Sequence, residues 1–253
     1  MNSRIALITG ATSGIGEAVA LKLASKGYNL IITGRRGARL TALASSIERE
    51  YSVKTLPLIF DVRSLSEVEK QLKNLPENWT KIDVLVNNAG LAVGLNPIDK
   101  GLFDDWERMI DTNVKGLLYV TRIISSYMVN NQKGHIINLC SIAGKEVYPN
   151  GNVYCATKHA VDAITKSTRI DLLPYNIRVS QICPGAVETE FSEVRFKGDK
   201  ERASKVYIGY ESLKAEDIAN AIIFMIDCPP HVNINDMVIM PTAQANSSIF
   251  NKK

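Results

Sequence analysis

The sequence predicts an α/β fold, a doubly wound parallel sheet of about seven strands with helices on both faces. Three observations carry this. Short apolar runs alternate with longer amphipathic stretches along the chain, the pattern of strands joined by crossover helices. Several runs, such as Asp83-Val-Leu-Val86 and Ile177-Arg-Val-Ser-Gln-Ile182, are nearly continuous in apolar character, as strands covered on both sides are. A glycine-rich turn, Gly10-Ala-Thr-Ser-Gly14-Ile-Gly16, divides the first run from the first amphipathic stretch.

In chain order, strands are expected at residues 5–9, 29–33, 54–60, 84–87, 135–139, 178–182 and 237–240. Between them, helical patterns occupy 15–26, 38–50, 65–74, 103–129, 153–173 and 215–226. The first strand is too short for a signal-peptide core and runs straight into glycine. The second ends on Thr33-Gly-Arg-Arg36, the fourth on Asn87-Asn-Ala-Gly90 and the fifth on Asn138-Leu-Cys-Ser141. Beyond Pro184, residues 185–209 are rich in charges and irregular. A connection of that length in a compact domain is usually a lid, so a substrate loop is expected at about 186–210. No linker, repeat or low-complexity segment divides the chain, which reads as one domain, 1–253.

Apolar residues make up 45% and charged residues 22% of the 253 positions, as in ordinary globular enzymes. A net charge of +4 without a run of Lys or Arg gives no ground for a nucleic-acid partner. It suffices for a small anionic substrate or cofactor. No apolar stretch approaches the roughly 20 residues of a membrane span. Cys140, Cys155, Cys183 and Cys228 form no C-x-x-C pair, and His135, His159 and His231 are scattered; neither set suggests a metal. Reduced thiols in a cytoplasmic, soluble protein are expected.

The glycine turn sits between a strand and a helix, where glycines let the backbone approach a pyrophosphate and free helix N–H groups face its charge. Gly10, Thr12, Ser13, Gly14, Ile15 and Gly16 are the candidate cradle. An NAD enzyme needs a carboxylate at the end of the second strand for the ribose 2′-hydroxyl. Between Glu17 and Glu48 there is no Asp or Glu. Arg35 and Arg36 stand there instead, and guanidinium forks suit a 2′-phosphate. The alternative, a solvated basic helix start, is disfavoured by the helix dipole. NADP is the expected cofactor.

Tyr154-Cys-Ala-Thr-Lys158 puts a phenol and an ammonium one turn apart on one helix face. A neighbouring ammonium favours the phenolate and brings a group with pKa near 10 toward the working range. The ends of parallel strands converge on one crevice, which brings the fourth- and fifth-strand termini toward this pair.

With Asn113 and Ser141 added, the motif set resembles the short-chain dehydrogenase/reductase family, with its Rossmann-type fold, across essentially the whole chain. The resemblance implies that Tyr154 is the general acid/base and that Lys158 binds the nicotinamide ribose while lowering the Tyr154 pKa. It implies that Ser141 bonds the substrate oxygen and Asn113 holds a relay water. Asp61 and Val62 match adenine contacts, Asn88, Ala89 and Gly90 the adenosine ribose, and Pro184, Gly185, Val187 and Thr189 the nicotinamide amide. Thr33-Gly-Arg-Arg36, Gly151-Asn-Val-Tyr154, residues 190–198 and Pro230-His-Val-Asn-Ile-Asn235 resemble the NADP-dependent 3-hydroxy acid dehydrogenases, a subgroup acting on serine, allo-threonine and malonic semialdehyde. A homotetramer is implied, pairing the 103–129 and 153–173 helices with symmetry mates. One departure is Cys155, where a small residue is more familiar; packing is expected of it.

A 3-hydroxy acid needs a cationic or N–H-rich partner beyond Ser141 and Tyr154. Arg195 is the candidate, with Val194 and Phe196 anchoring the lid and turning the guanidinium inward; Lys197 reads equally well as a solvated loop charge. The alternatives are a reductase of neutral ketones, aldehydes or diketones, and a non-catalytic NADP(H)-sensing scaffold.

Overall fold

A computed structural model describes residues 4–253. Its strands are β1 (Ile5–Ile8), β2 (Asn29–Gly34), β3 (Thr55–Ile59), β4 (Val84–Asn87), β5 (Gly134–Leu139), β6 (Ile177–Pro184) and β7 (Asp236–Ile239). All pair in parallel, in the order β3-β2-β1-β4-β5-β6-β7. The order reverses between β1 and β4, which opens a crevice above their carboxyl ends.

Period-two alternation divides the strands between two cores. Ala6 and Ile8, Leu30 and Ile32, and Val84 and Val86 enter one core, against α1 (Gly14–Ser25), α2 (Gly37–Tyr51) and, later in the chain, α9 (Ala215–Asp227). Ile5 and Leu7, Ile31, and Leu85 enter the other, which holds Val68 and Leu72 of α3 (Leu65–Leu72) and residues of two further helices. Those helices are α5 (Leu117–Asn131), through Val120, Ile124 and Met128, and α6 (Asn152–Leu172), through Leu172. Burial on both faces explains why these strands carry no polar alternation.

Two segments differ from expectation. Residues 103–129 are not one regular helix but α4 (Phe103–Ile110), a π-helical turn Asp111–Gly116 and then α5. Close packing accompanies the turn. A Cβ on Gly116 would lie 2.8 Å from Val62 Cγ2, and the wider turn carries buried Asn113. π-turns commonly occur at functional positions. The segment 185–209 contains two short helices, α7 (Phe191–Arg195) and α8 (Lys200–Lys205). Too short for a visible period, α8 is capped by Asp199, whose side chain accepts from Arg202 N. Tertiary contacts hold α7, among them Ser192 Oγ to Tyr207 Oη at 2.7 Å. Among the described residues, no helix is long and apolar enough to cross a membrane.

Candidate active site

The glycine turn and the end of β4 lock together. Asn88 Nδ2 donates to the carbonyls of Thr9 at 2.9 Å and Gly10 at 3.1 Å. Thr9 Oγ1 accepts from Asn88 N and Ala89 N. Gly10 and Gly14 have φ of +67° and +57°, which side chains rarely tolerate. At Gly16 a Cβ would overlap Asn88 Nδ2 and the Gly10 carbonyl. Ser13 precedes α1 in extended conformation without capping it through its side chain, which leaves first-turn N–H groups for an anion.

Above this turn lies a cleft of about 680 Å³, the size of a ligand site. Every cofactor and catalytic residue expected from the sequence lines it except Gly16 and Asn113, which stand just behind. The C-terminal segment, which no sequence signal marked, lines it too through Gln244, Ser247, Phe250 and Lys252. Gln244 Oε1 accepts from Ala186 N at 2.8 Å and fills the space where a Gly185 side chain would be.

At one end of the cleft, Arg36 donates to Thr12 Oγ1 through Nε and Nη2 at 3.0 and 2.9 Å and to Ser13 Oγ at 2.6 Å. Its Nη1 bonds Glu190 at 2.7 Å, and Arg39 reaches the other Glu190 oxygen at 2.7 Å. The stretch between Glu17 and Glu48 indeed lacks an acid, yet a carboxylate arrives from far along the chain. Two bound guanidinium groups hold the Glu190 carboxyl at about 2. Arg35 Nη1 is 3.6 Å from Asp61 Oδ2. Burial raises the Asp61 carboxyl, but hydrogen bonds and charge from Arg63 outweigh it and leave it below the usual range. Arg39 was visible in the sequence, three positions past Arg36; Glu190 carried no local signal.

At the other end, α6 buries Tyr154 and Lys158, at 8% and 6% exposure. Cys155 packs beside Tyr154, 1% exposed. Lys158 Nζ donates to the Leu139 carbonyl at 2.8 Å and lies 5.9 Å from the Tyr154 ring centroid. Asn113 accepts from Leu91 N and donates to Leu91 O, both at 2.8 Å, and to Thr157 Oγ1 at 3.0 Å. Ser141 Oγ accepts from Ala143 N at 3.1 Å.

Burial pushes the Tyr154 phenol up to about 12, against the opposing charge of Arg195 and hydrogen bonding with Ser141. Lys158 is itself lowered by burial. Arg195, which the Tyr-x-x-x-Lys spacing did not point to, is thus a second cation beside the phenol. Lys158 is drawn to a carbonyl, whereas Arg195 lies across the ring face. Its guanidinium is 5.1 Å from the centroids of both Tyr154 and Phe191 and donates to Tyr148 Oη at 2.8 Å. Arg195 Nε is buried and without a hydrogen-bond partner.

The anchors of this segment also differ from expectation. Val194 is 41% exposed, and Phe196 lies under Arg202. Phe191 packs on Tyr154 at 5.7 Å, and Gly94 N donates to the Arg195 carbonyl at 2.9 Å. Lys197 is not a free loop charge; it pairs with buried Asp105 at 2.9 Å. Among the described residues, no cluster of His, Cys, Asp and Glu has the makings of a metal site.

The family model described as short chain dehydrogenase matches residues 4–200. A Haemophilus influenzae protein named probable NADP-dependent dehydrogenase is 48% identical over 246 residues, 97% of this chain and 96% of its own. The NADP-dependent 3-hydroxy acid dehydrogenase YdfG of Salmonella typhi is 47% identical over 242 residues, 95% of this chain and 96% of its own. A solved closed form of serine dehydrogenase complexed with NADP⁺ superposes with a TM-score of 0.91 at 43% identity, covering 98% of this chain and 99% of that one.

Proposed function

The chain belongs to the short chain dehydrogenase family, and on that footing we propose that it is an NADP(H)-dependent oxidoreductase of small 3-hydroxy acids, of the serine, allo-threonine and 3-hydroxypropionate type. The glycine turn with its free helix N-terminus fits a pyrophosphate, and Arg35, Arg36 and Arg39 fit a 2′-phosphate. Asp61 and Val62 would meet adenine, Asn88, Ala89 and Gly90 its ribose, and Pro184, Gly185, Val187 and Thr189 the carboxamide. A nicotinamide held there would supply the hydride donor or acceptor for the substrate carbon.

Tyr154 exchanges the proton at the substrate oxygen, and Ser141 hydrogen-bonds that oxygen. Lys158 holds the nicotinamide ribose. Asn113, braced against Leu91, completes the proton relay behind Gly90, where a Cβ would lie 3.3 Å from its Oδ1 and 3.6 Å from Lys158 Nζ. Arg195 binds the substrate carboxylate. The observation that carries the hydroxy-acid reading is the Arg195 guanidinium laid over the Tyr154 ring with a buried, unpartnered Nε; an anion would satisfy that donor. We further propose a single domain in a cytoplasmic homotetramer. Exposed Leu118 on α5 and Ile170 on α6 accord with helix faces that meet a symmetry mate.

The test is a panel with NADP⁺ that pairs 3-hydroxy acids with neutral secondary alcohols of matched size, in wild type and Tyr154→Phe. The acids turn over faster in wild type. Tyr154→Phe abolishes nearly all turnover while the Kd for NADP⁺ stays within about twofold, because only the phenol hydroxyl is removed. Preference for the neutral alcohols, or turnover near wild type in Tyr154→Phe, refutes the reading.

A further inference from the structure

The Glu190 carboxylate lies where the cofactor reading puts a phosphate. It takes Nη1 of both Arg36 and Arg39 at 2.7 Å, its only ion pairs among the described residues. Arg36 meanwhile grips Thr12 and Ser13 of the glycine turn. The arginines belong to the end of β2 and the first turns of α2, whereas Glu190 immediately precedes α7, 154 positions beyond Arg36. Both arginines are about half exposed, so an incoming anion can reach them. A phosphate and a carboxylate on the same two cations repel each other at contact distance. Protonation does not relieve the conflict near neutral pH, since the carboxyl is held at about 2.

We infer that Glu190 is a specificity-determining residue that competes with the cofactor's 2′-phosphate for Arg36 and Arg39. The inference rests on the NADP(H) reading above. A ligand bearing the phosphate displaces the carboxylate from Arg36; a ligand without it leaves Glu190 in place and forgoes the arginines. The competition also reaches the reacting centre. The residue after Glu190 is Phe191, packed on Tyr154, and α7 ends at Arg195 over the same ring. Occupancy of the 2′-phosphate site is thereby linked to the segment that covers the substrate.

The test measures binding, not turnover. Adenosine 2′,5′-bisphosphate and ADP are titrated calorimetrically into wild type, Glu190→Gln and Glu190→Ala. Both ligands are polyanions, so a general electrostatic gain tightens both, whereas relief of competition tightens the bisphosphate alone. The expected result is a gain of about three- to tenfold for the bisphosphate in both variants, the range set by two half-exposed ion pairs that no longer need displacing. ADP should change less than twofold. Unchanged or weaker bisphosphate binding, or equal tightening of both ligands, overturns the inference. If neither wild type nor either variant binds the bisphosphate more tightly than ADP, the NADP(H) reading beneath it fails instead.

Discussion

Arg195→Met separates two effects that one guanidinium exerts. The substitution keeps an apolar stem against Phe191 and removes the charge. A charge-assisted hydrogen bond to a carboxylate contributes about 1.5–3 kcal/mol, so kcat/KM for a 3-hydroxy acid should fall roughly ten- to hundredfold. The same cation also lies 5.1 Å from the Tyr154 centroid. At an effective dielectric of about 20, a unit charge about 5 Å away favours phenolate by at most about 3 kcal/mol. Without it, burial raises the phenol still further. The alkaline rise in alcohol oxidation therefore shifts to higher pH, for charged and neutral substrates alike. The ratio of kcat/KM for acid to that for neutral alcohol, measured at one pH, cancels this shared change and isolates carboxylate binding. Arg195→Lys, which keeps the charge and loses the fork, should fall between. Lys197→Met, already committed to Asp105, should leave the ratio unchanged. An unaltered ratio in Arg195→Met refutes the assignment and favours neutral carbonyl substrates.

Two further outcomes follow from other parts of the molecule. Arg35→Asp should weaken NADP⁺ binding roughly ten- to hundredfold and NAD⁺ binding far less; titration of both cofactors checks this, and equal loss would contradict a 2′-phosphate site. His135, bonded to Ser180 Oγ at 2.8 Å, is held neutral by burial, its pKa lowered from 6.5 to about 3. The unfolded chain binds a proton there that the native one does not. The stabilisation is full above pH 6.5 and is lost as pH falls toward 3, about 2 kcal/mol of it by pH 5. Denaturant midpoints at pH 7 and pH 5 should therefore diverge less in His135→Val than in wild type; the same pH slope in both would rule this out.

How much was legible in the sequence follows from the range of the interactions involved. Strands buried on both faces, such as β1, β2 and β4, announce themselves as apolar runs; the edge strands β3 and β7 are only partly buried, yet all seven fall within about two residues of the expected bounds. The glycine turn was readable because its demands are local: positive φ at Gly10 and Gly14 and close approach at Gly16. Helical periodicity is insensitive to one π-turn, since the added residue only rotates the apolar stripe, so residues 103–129 looked continuous. Glu190 pairs with Arg36 across 154 positions and Lys197 with Asp105 from a different segment; no window of sequence contains either pair. The Tyr154–Lys158 spacing does place both residues on one face of α6. It did not disclose that the Leu139 carbonyl takes the ammonium.

The segment after β6 gains its reach from short covalent distances. Thr189 abuts Gly14, where a Cβ would lie 3.3 Å from its side chain, and Glu190 takes the arginines. Phe191 and Arg195, one helical turn apart at about 6 Å along α7, both face Tyr154. Seven consecutive residues thus touch the glycine turn, the Arg36 and Arg39 guanidinium groups and Tyr154. A disordered lid would lose roughly 1–2 kcal/mol of backbone entropy per residue on closing. Here the Gly94–Arg195 backbone bond, the Lys197–Asp105 pair and the Asp199 cap already hold the segment, so most of that cost is met in folding. What would be left to change on binding is local, the partners of Glu190 and the unpartnered Nε of Arg195. Those are the two side chains at which a phosphate on the cofactor and a carboxylate on the substrate would each be recognised.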